Sequence, residues 1–108
     1  MATTQKTEDD ELIKKPAIVL PECEDMLNEV AAYIWKDSPE QADIMMEQFS
    51  KSRRMIERMP GIGTPYKNGM RKTGLGKFRR YNIYYREKEN EIEILGVWHT
   101  SRGTGFDG

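Results

Sequence analysis

From Glu22 onward, the spacing of apolar residues changes once, at Pro60-Gly61. Before that pair, apolar residues recur at the intervals of three and four that place side chains on one face of a helix. One helical run extends from Glu22 to Trp35, and a second follows Ser38-Pro39, a typical N-cap with proline at the first helical position. Because about two residues separate the runs, we predict an antiparallel helical hairpin that ends at Pro60-Gly61.

After Pro60-Gly61, apolar and polar residues alternate, which is the period of a strand with one buried face. The predicted strands are Met70–Thr73, Phe78–Glu87 and Glu91–Trp98, preceded by a loop at 61–65, and an apolar run at Pro16–Leu20 predicts a first strand. Short turns between the late strands predict an antiparallel meander with the helical hairpin on one face. The expected fold is therefore α+β, in the order β-α-α-β-β-β.

The remaining segments complete this picture. Residues 1–14 show no periodicity and are expected to form a flexible tail, which leaves 15–108 as a single domain. The polar, glycine-rich end from Ser101 is expected to be loose. Gly96 is expected to mark a bulge in the last strand. The uncovered face of the sheet is expected to display four residues of the long strand, namely Arg80, Asn82, Tyr84 and Arg86.

Charge is distributed unevenly along the chain. Residues 1–50 carry four Lys/Arg against twelve Asp/Glu, a net of −8, whereas residues 51–108 carry thirteen against six, a net of +7. Between Lys51 and Arg86, eleven Lys/Arg accompany only one acidic residue, Glu57. Such a basic region favours an acidic or polyanionic partner, although mutual attraction of the two halves explains it equally well.

Several classes of protein are disfavoured. The longest apolar run, Val30–Trp35, is far shorter than the roughly 20 residues that span a bilayer. The first eleven residues are polar and acidic, unlike a secretory signal. One cysteine, Cys23, and one histidine, His99, cannot supply a four-ligand zinc site. We expect a cytoplasmic protein with no membrane partner, metal or cofactor.

Four segments in order resemble a known family: a helical hairpin ending in MPGIGTPY, then GMRK, then FRRYNIYYRE, then EIEILGVWHTSRG. Their order and spacing, over roughly Ala17 to Gly103, resemble the ParE/RelE superfamily of bacterial toxins. The resemblance implies a strand, a helical hairpin and a curled antiparallel sheet. It also implies the toxin half of a type II toxin–antitoxin system, of the kind associated with plasmid stabilization and held inactive by a cognate antitoxin.

The resemblance allows two targets. ParE-like members inhibit DNA gyrase and are not known as nucleases, whereas RelE-like members cut messenger RNA in the ribosomal A site. Ribonuclease members commonly have a tyrosine near the C-terminus, but here Thr100 and Ser101 follow His99. The His-x-x-Arg ending therefore favours the ParE branch, with a ribosome-dependent endoribonuclease as the alternative and a non-toxic partner-binding protein as a further one.

Candidate site residues depend on the target, and the catalytic residues stay unknown. RNA cleavage needs an acid/base group and fixed cations, and histidine is the residue type that titrates near neutral pH. The ribonuclease candidates are His99, Arg79, Arg80, Tyr81 and Arg102. The candidates for binding target or antitoxin are Arg71, Lys72, Arg79, Arg80 and Arg102.

Both sets also have a structural interpretation, because a loop-anchoring histidine and a solvated basic sheet face would have the same sequence. We expect Arg71, Lys72, Arg79 and Arg80 to form one basic groove on adjacent strands. Replacing Arg71, Arg79 and Arg80 together by alanine is expected to weaken antitoxin association and toxicity and to leave the fold intact.

Overall fold

Two helices pack on a five-stranded sheet in the computed structural model, which describes residues 13–103 and 105–107. The elements in chain order are β1 (Ala17–Val19), α1 (Pro21–Asp37), α2 (Pro39–Arg58), β2 (Thr64–Tyr66), β3 (Met70–Leu75), β4 (Phe78–Glu87) and β5 (Ile92–His99). The predicted α+β fold is confirmed, with one strand more than predicted. The additional strand is β2, which lies in the segment that was expected to be a loop.

The strand order in the sheet is β1-β5-β4-β3-β2. β1 runs parallel to β5, because the helical hairpin carries the chain back before the meander begins, and the other neighbours are antiparallel. Tyr84 pairs with Gly96 and Tyr85 pairs with Ile94, so Leu95 is an extra residue in β5. This irregularity lies beside Gly96, where the sequence predicts a bulge.

The helical hairpin begins and turns where the sequence predicts. The Ser38 hydroxyl accepts a hydrogen bond from the Gln41 backbone N–H at 3.1 Å, and Pro39 occupies the first helical position of α2. This cap satisfies one of the free N–H groups at the start of the helix. Leu27 of α1 and Met45, Phe49 and Ile56 of α2 then pack against the inner face of the sheet, where Tyr85 is fully buried.

The outer face of the sheet is not the exposed surface that the sequence suggests. Tyr84 is only 4% exposed, because Phe106 from the C-terminal segment stacks on it with ring centroids 4.7 Å apart. The Tyr66 hydroxyl donates a hydrogen bond to the Phe106 carbonyl at 2.9 Å, and Met70 completes this second cluster. The prediction that Tyr84 is exposed is therefore wrong. The prediction of a loose C-terminal end is wrong for residues 105–107, which Phe106 holds against the sheet.

The expected N-terminal tail, residues 1–14, lies outside the described residues except for its last two. Of these, Lys14 donates its backbone N–H to the Glu57 carbonyl at 2.8 Å.

The free edge of β1 is closed by side chains of α2. The Glu57 carboxylate accepts from the Ala17 N–H at 2.8 Å, and Arg53 Nε donates to the Ala17 carbonyl at 3.0 Å. Neither helix of the described part is long and apolar enough to cross a membrane.

Candidate functional site

A cleft of about 420 Å³ opens between α1 and the ends of β4 and β5. Its walls carry polar and aromatic side chains from three parts of the chain, namely Glu29, Tyr33, Tyr81, His99, Ser101 and Arg102. The apolar residues Met26, Val30 and Val97 also line it. The cleft therefore unites three of the predicted site residues, Tyr81, His99 and Arg102, with groups of α1.

Tyr81 and His99 are held together by the sheet. They are direct partners in the β4–β5 register, and their rings meet edge to face with centroids 5.0 Å apart. His99 Nδ1 accepts a hydrogen bond from the Ser101 N–H at 3.1 Å and lies 2.8 Å from the Ser101 hydroxyl oxygen. Because a backbone N–H can only donate, Nδ1 is the acceptor, and the neutral ring carries its proton on Nε2. That nitrogen is the one available to a ligand.

The surroundings of Tyr81 keep its hydroxyl protonated. Burial raises the pKa of Tyr81 above its ordinary value, the neighbouring Tyr33 acts in the same direction, and Arg102 acts against both. A neutral phenol donates a hydrogen bond and can supply a proton. The cleft thus offers a proton donor beside an imidazole.

Arg102 supplies the cation of the cleft. Trp98 Nε1 donates a hydrogen bond to the Arg102 carbonyl at 3.2 Å, which fixes the backbone after β5. The guanidinium carbon lies 4.7 Å from the centre of the Trp98 ring, a cation–π distance. Arg102 also lines the cleft, and its charge has no carboxylate partner among residues 13–103 and 105–107.

The other predicted basic residues do not form one groove. Arg71 pairs with Tyr85 in the β3–β4 register, and Arg79 lies six residues from Tyr85 along β4. At the rise of a strand, that separation is about 20 Å. The expected groove is therefore divided into one pair near β2, Arg71 and Lys72, and a second pair, Arg79 and Arg80, at the start of β4.

The two pairs also differ in their surroundings. Arg71 is half-buried, and its Nη1 donates to the Gly63 carbonyl at 2.7 Å, so it anchors the turn after α2. Lys72 Nζ lies 5.4 Å from the centre of the Tyr66 ring. Arg79 and Arg80 are exposed in a stretch of β4 that β3 does not pair, because the register passes from Gly74–Asn82 to Leu75–Phe78. This second pair is therefore the more exposed of the two.

Sequence reasoning missed the contribution of α1 to the cleft. Glu29 and Tyr33 are four residues apart, so they share a helix face, and Tyr33 is 66% exposed. The available signal was a tyrosine beside the apolar stripe of the first helical run, but Tyr33 was given no functional role there. Within the described ranges, no three His, Cys, Asp or Glu side chains are grouped so as to hold a metal ion.

A helical hairpin on a five-stranded mixed sheet, with a cleft at the end of its last strands and exposed arginines on β4, defines a small α+β protein of the toxin type that the sequence resembles. A family model described as the ParE toxin of the type II toxin–antitoxin system, parDE, matches residues 18–103. The chain belongs to this ParE toxin family, which confirms the predicted membership of the ParE/RelE superfamily.

A solved structure agrees with this assignment. The fold is similar to one described as the chromosomal ParDE TA system from P. aeruginosa, with a TM-score of 0.71 and 19% identity. The match covers 81% of this chain and 97% of that chain, and at this identity it establishes the shared fold. No curated protein sequence matches the chain closely enough to count as a relative.

Proposed function

We propose that this chain is a ParE-like toxin that acts in the cytoplasm, inhibits DNA gyrase and thereby replication, and is neutralised by a cognate antitoxin. The observation that carries the proposal is the match of the ParE toxin model over residues 18–103. The structural neighbour, described as a ParDE system, supports the same assignment.

The exposed arginines of β4 suit such a binding function. Neither Arg79 nor Arg80 forms a hydrogen bond through its side chain or an ion pair with another described residue. Their charges are therefore available to an acidic surface, and fixed cations on a protein surface speed the encounter with such a partner. An inhibitor of this kind needs no chemistry of its own.

A supercoiling assay with purified gyrase tests the proposal. We expect the purified protein to inhibit supercoiling at micromolar concentration, and the Arg79→Ala/Arg80→Ala variant to inhibit at least about tenfold less well, as for loss of central charged contacts. Lys36→Ala, which removes an exposed cation from the end of α1, is the control and should inhibit like the unmodified protein. An absence of inhibition by the unmodified protein would refute the gyrase target.

The cleft favours a second candidate function, a RelE-like ribosome-dependent endoribonuclease that acts on messenger RNA. In this alternative, His99 and Tyr81 would exchange protons with the ribose hydroxyl and the leaving oxygen, and Arg102 would stabilise the anionic phosphorane. Arg79 and Arg80 would then hold the RNA backbone.

A translation extract separates the two candidates. If the protein is an endoribonuclease, messenger RNA is cut after its addition and stays intact with His99→Ala; if it is a gyrase inhibitor, messenger RNA stays intact in both cases. Expression in bacteria without an antitoxin tests toxicity itself. Normal growth would leave only a non-toxic protein of this fold that binds a partner.

A further inference from the structure

The turn between β2 and β3 contains the one Asn-Gly pair of the sequence, Asn68-Gly69. Because Tyr66 pairs with Met70, the three residues Lys67–Gly69 close this hairpin. Asn68 has φ 59° and ψ 32°, and Gly69 has φ 74°. Asparagine and glycine adopt this left-handed region more readily than other residues, so the pair suits the conformation of the turn.

An Asn-Gly pair also has a reaction of its own. The backbone nitrogen of Gly69 attacks the side-chain carbonyl carbon of Asn68, and the new C–N bond closes a succinimide ring. The side-chain NH2 group takes up the proton of the Gly69 N–H and leaves as ammonia. Water then opens the ring at either carbonyl carbon, which yields aspartate or isoaspartate. In isoaspartate the main chain passes through the Cβ and Cγ atoms and is one carbon longer. Glycine favours the attack because it has no side chain to obstruct the approach.

The surroundings of the turn leave room for this ring to close. Asn68 and Gly69 are both exposed, and a Cβ atom on Gly69 would meet no atom within 4 Å. The three residues form a single 3₁₀ turn, whose hydrogen bonds have poorer geometry than those of an α-helix. Because an exposed turn of this kind opens locally at little cost, the two reacting groups can meet while the sheet stays folded.

The charge beside the turn favours the reaction as well. Arg86 Nη2 donates a hydrogen bond to the Asn68 backbone carbonyl at 3.2 Å. Glu93, the partner of Arg86 across the strands, forms an ion pair with Lys88 at 3.5 Å. The guanidinium therefore lies beside the bond that reacts. A fixed cation stabilises the negative charge that develops on the attacking nitrogen and on the carboxylate product.

The other three asparagines of the chain lack this combination. Asn28 lies within α1 and Asn82 within β4, where the following N–H belongs to a regular helix or strand. Asn90 is exposed between β4 and β5, but the residue that follows it, Glu91, carries a side chain. Asn90 is therefore an internal control that matches Asn68 in exposure and differs from it in the following residue.

The same turn anchors the C-terminal segment. The Tyr66 hydroxyl donates a hydrogen bond to the Phe106 carbonyl at 2.9 Å, and Lys67 forms an ion pair with Asp107. Both anchors directly precede residue 68. A main chain that is longer at residue 68 shifts them relative to β3, so the hold on Phe106 and on the outer face of the sheet is weakened.

We propose that Asn68-Gly69 is a self-modifying site, at which the folded protein converts to aspartate and isoaspartate without an enzyme. The aspartate form keeps the turn, because aspartate also adopts the left-handed region. The isoaspartate form loosens the C-terminal segment, so the cover of the outer face changes with the age of the molecule. This conversion needs no partner and is independent of whether the target is gyrase or messenger RNA.

Mass spectrometry of proteolytic peptides measures the conversion against a sample taken before incubation. At mildly alkaline pH, the peptide that contains residue 68 should gain the mass difference between amide and carboxylate at least about tenfold faster than the peptide that contains Asn90. Asn68→Gly keeps a residue that tolerates the turn, and it should abolish the gain at residue 68. If Asn68 converts no faster than Asn90, the proposal is overturned.

The same incubation in guanidinium separates a site of the folded protein from a property of the dipeptide. We expect Asn68 in the folded chain to convert at a rate within about tenfold of its rate in the unfolded chain, because the turn opens locally. A folded chain that converts more slowly than this would show that the fold protects the pair, and the proposal would fail.

The effect on the C-terminal segment has its own readout. In a Trp35→Phe background Trp98 is the one tryptophan, and its ring lies 5.7 Å from the Phe106 ring. Its emission should shift to longer wavelength in step with isoaspartate, measured by labelling with an isoaspartyl methyltransferase. Asn68→Gly in the same background should keep its emission over the same period. If isoaspartate accumulates and the Trp98 emission stays constant, the link between the turn and the C-terminal segment is refuted.

Discussion

Tyr84 and Tyr85 are adjacent in β4 and point to opposite faces of the sheet, so these two tyrosines have different roles. The Tyr85 hydroxyl accepts from the Gly63 N–H at 2.9 Å and donates to the Pro60 carbonyl at 2.7 Å. Burial raises the pKa of Tyr85, and the hydrogen bond from Gly63 acts against it. A Cβ atom at residue 63 would lie 2.7 Å from the Lys72 carbonyl oxygen, so only glycine allows this close approach. Tyr85 thus fixes the turn that follows α2.

Replacing Tyr85 by phenylalanine removes that anchor and leaves the ring in place. We expect the free energy of unfolding to fall by about 1–3 kcal/mol, because a buried N–H and a carbonyl lose their partner. Tyr84→Phe is the control, since no hydrogen bond of its hydroxyl is found in the described part of the chain, and it should change stability by less than about 0.5 kcal/mol. Urea unfolding measures both, and a loss of less than about 0.5 kcal/mol for Tyr85→Phe would show that its hydroxyl adds little to stability.

Arg71 and Arg79 should contribute differently to stability, because the Arg71 side chain is hydrogen-bonded within the fold and the Arg79 side chain is exposed. Arg71→Ala should destabilise the protein by about 1–2 kcal/mol, at or below the lower end of the range for charged hydrogen bonds, since the guanidinium is only half-buried. Arg79→Ala should leave the urea midpoint unchanged. A variant lacking Arg71, Arg79 and Arg80 is therefore still expected to fold, with its stability reduced by the loss of the Arg71 contact. If Arg71→Ala is as stable as Arg79→Ala, the contact with the Gly63 carbonyl has no energetic weight.

At the scale of single elements, the start of α2 depends on one side chain. Ser38 accepts from the Gln41 N–H, and replacing an N-cap serine by alanine costs about 1 kcal/mol. We expect Ser38→Ala to lower the free energy of unfolding by this amount in urea denaturation. Ser50→Ala, an exposed serine within α2, should have no destabilising effect because alanine is the better helix former. A loss of the same size at both positions would argue against capping.

Cys23 makes the stability of α1 sensitive to alkaline pH. Burial raises the pKa of Cys23 to about 12, with a contribution from Glu24 in the same direction. The folded chain therefore holds this proton at pH values where the unfolded chain has lost it, so stability should fall between pH about 9 and about 12. The urea midpoint of Cys23→Ala should therefore fall less between pH 8 and about 10.5 than that of the unmodified protein. Part of the fall should remain in this variant, because the pKa values of Tyr81 and Tyr85 are also raised.

The same residue provides a direct measurement of burial. At pH about 8 the folded protein should react with a thiol-specific disulfide reagent far more slowly than the protein in guanidinium, where one thiol per chain reacts. Rapid modification of the folded protein would show that α1 opens readily from the sheet.

An element is predictable from the sequence to the extent that the residues that determine it are neighbours along the chain. The limits of α2 are set by Ser38, Pro39 and Pro60, which act within a turn of the helix ends, so its bounds were predicted closely. β2 was missed because three residues, one of them Pro65, become a strand only by pairing with Met70–Lys72. The stretch of β4 at Arg79 that β3 leaves unpaired was missed for the same reason, since a register depends on two strands at once.

At the scale of the whole molecule, the least predictable feature is that the chain end covers the sheet. Phe106 is the one large apolar residue after Trp98, and its neighbours are polar or glycine, a composition that indicates a loose end. In the fold it stacks on Tyr84 and lies 5.7 Å from the Trp98 ring. Gly96 allows this approach, because a Cβ atom there would lie 2.5 Å from the Phe106 ring. The cleft was likewise unpredictable as a whole, since it joins α1 to β4 and β5.

Phe106→Ala tests whether this end segment stabilises the domain or merely rests on it. We expect a loss of about 2–4 kcal/mol, somewhat less than for phenylalanine in a central core, because the chain end can detach while the inner cluster stays packed. Trp98 provides a local readout, since it loses the Phe106 ring and its fluorescence emission should shift to longer wavelength.

Asp107→Ala is the control for Phe106→Ala. This substitution removes only the exposed ion pair between Asp107 and Lys67, in which the hydrogen bond to Asp107 raises the pKa of Lys67. Because an exposed ion pair adds little to stability, both the Trp98 emission and the melting temperature should stay unchanged. If Phe106→Ala leaves the melting temperature and the Trp98 emission at the values of the unmodified protein, the segment contributes nothing to stability. The outer face of β4 would then be a surface open to partners, as the sequence alone suggested.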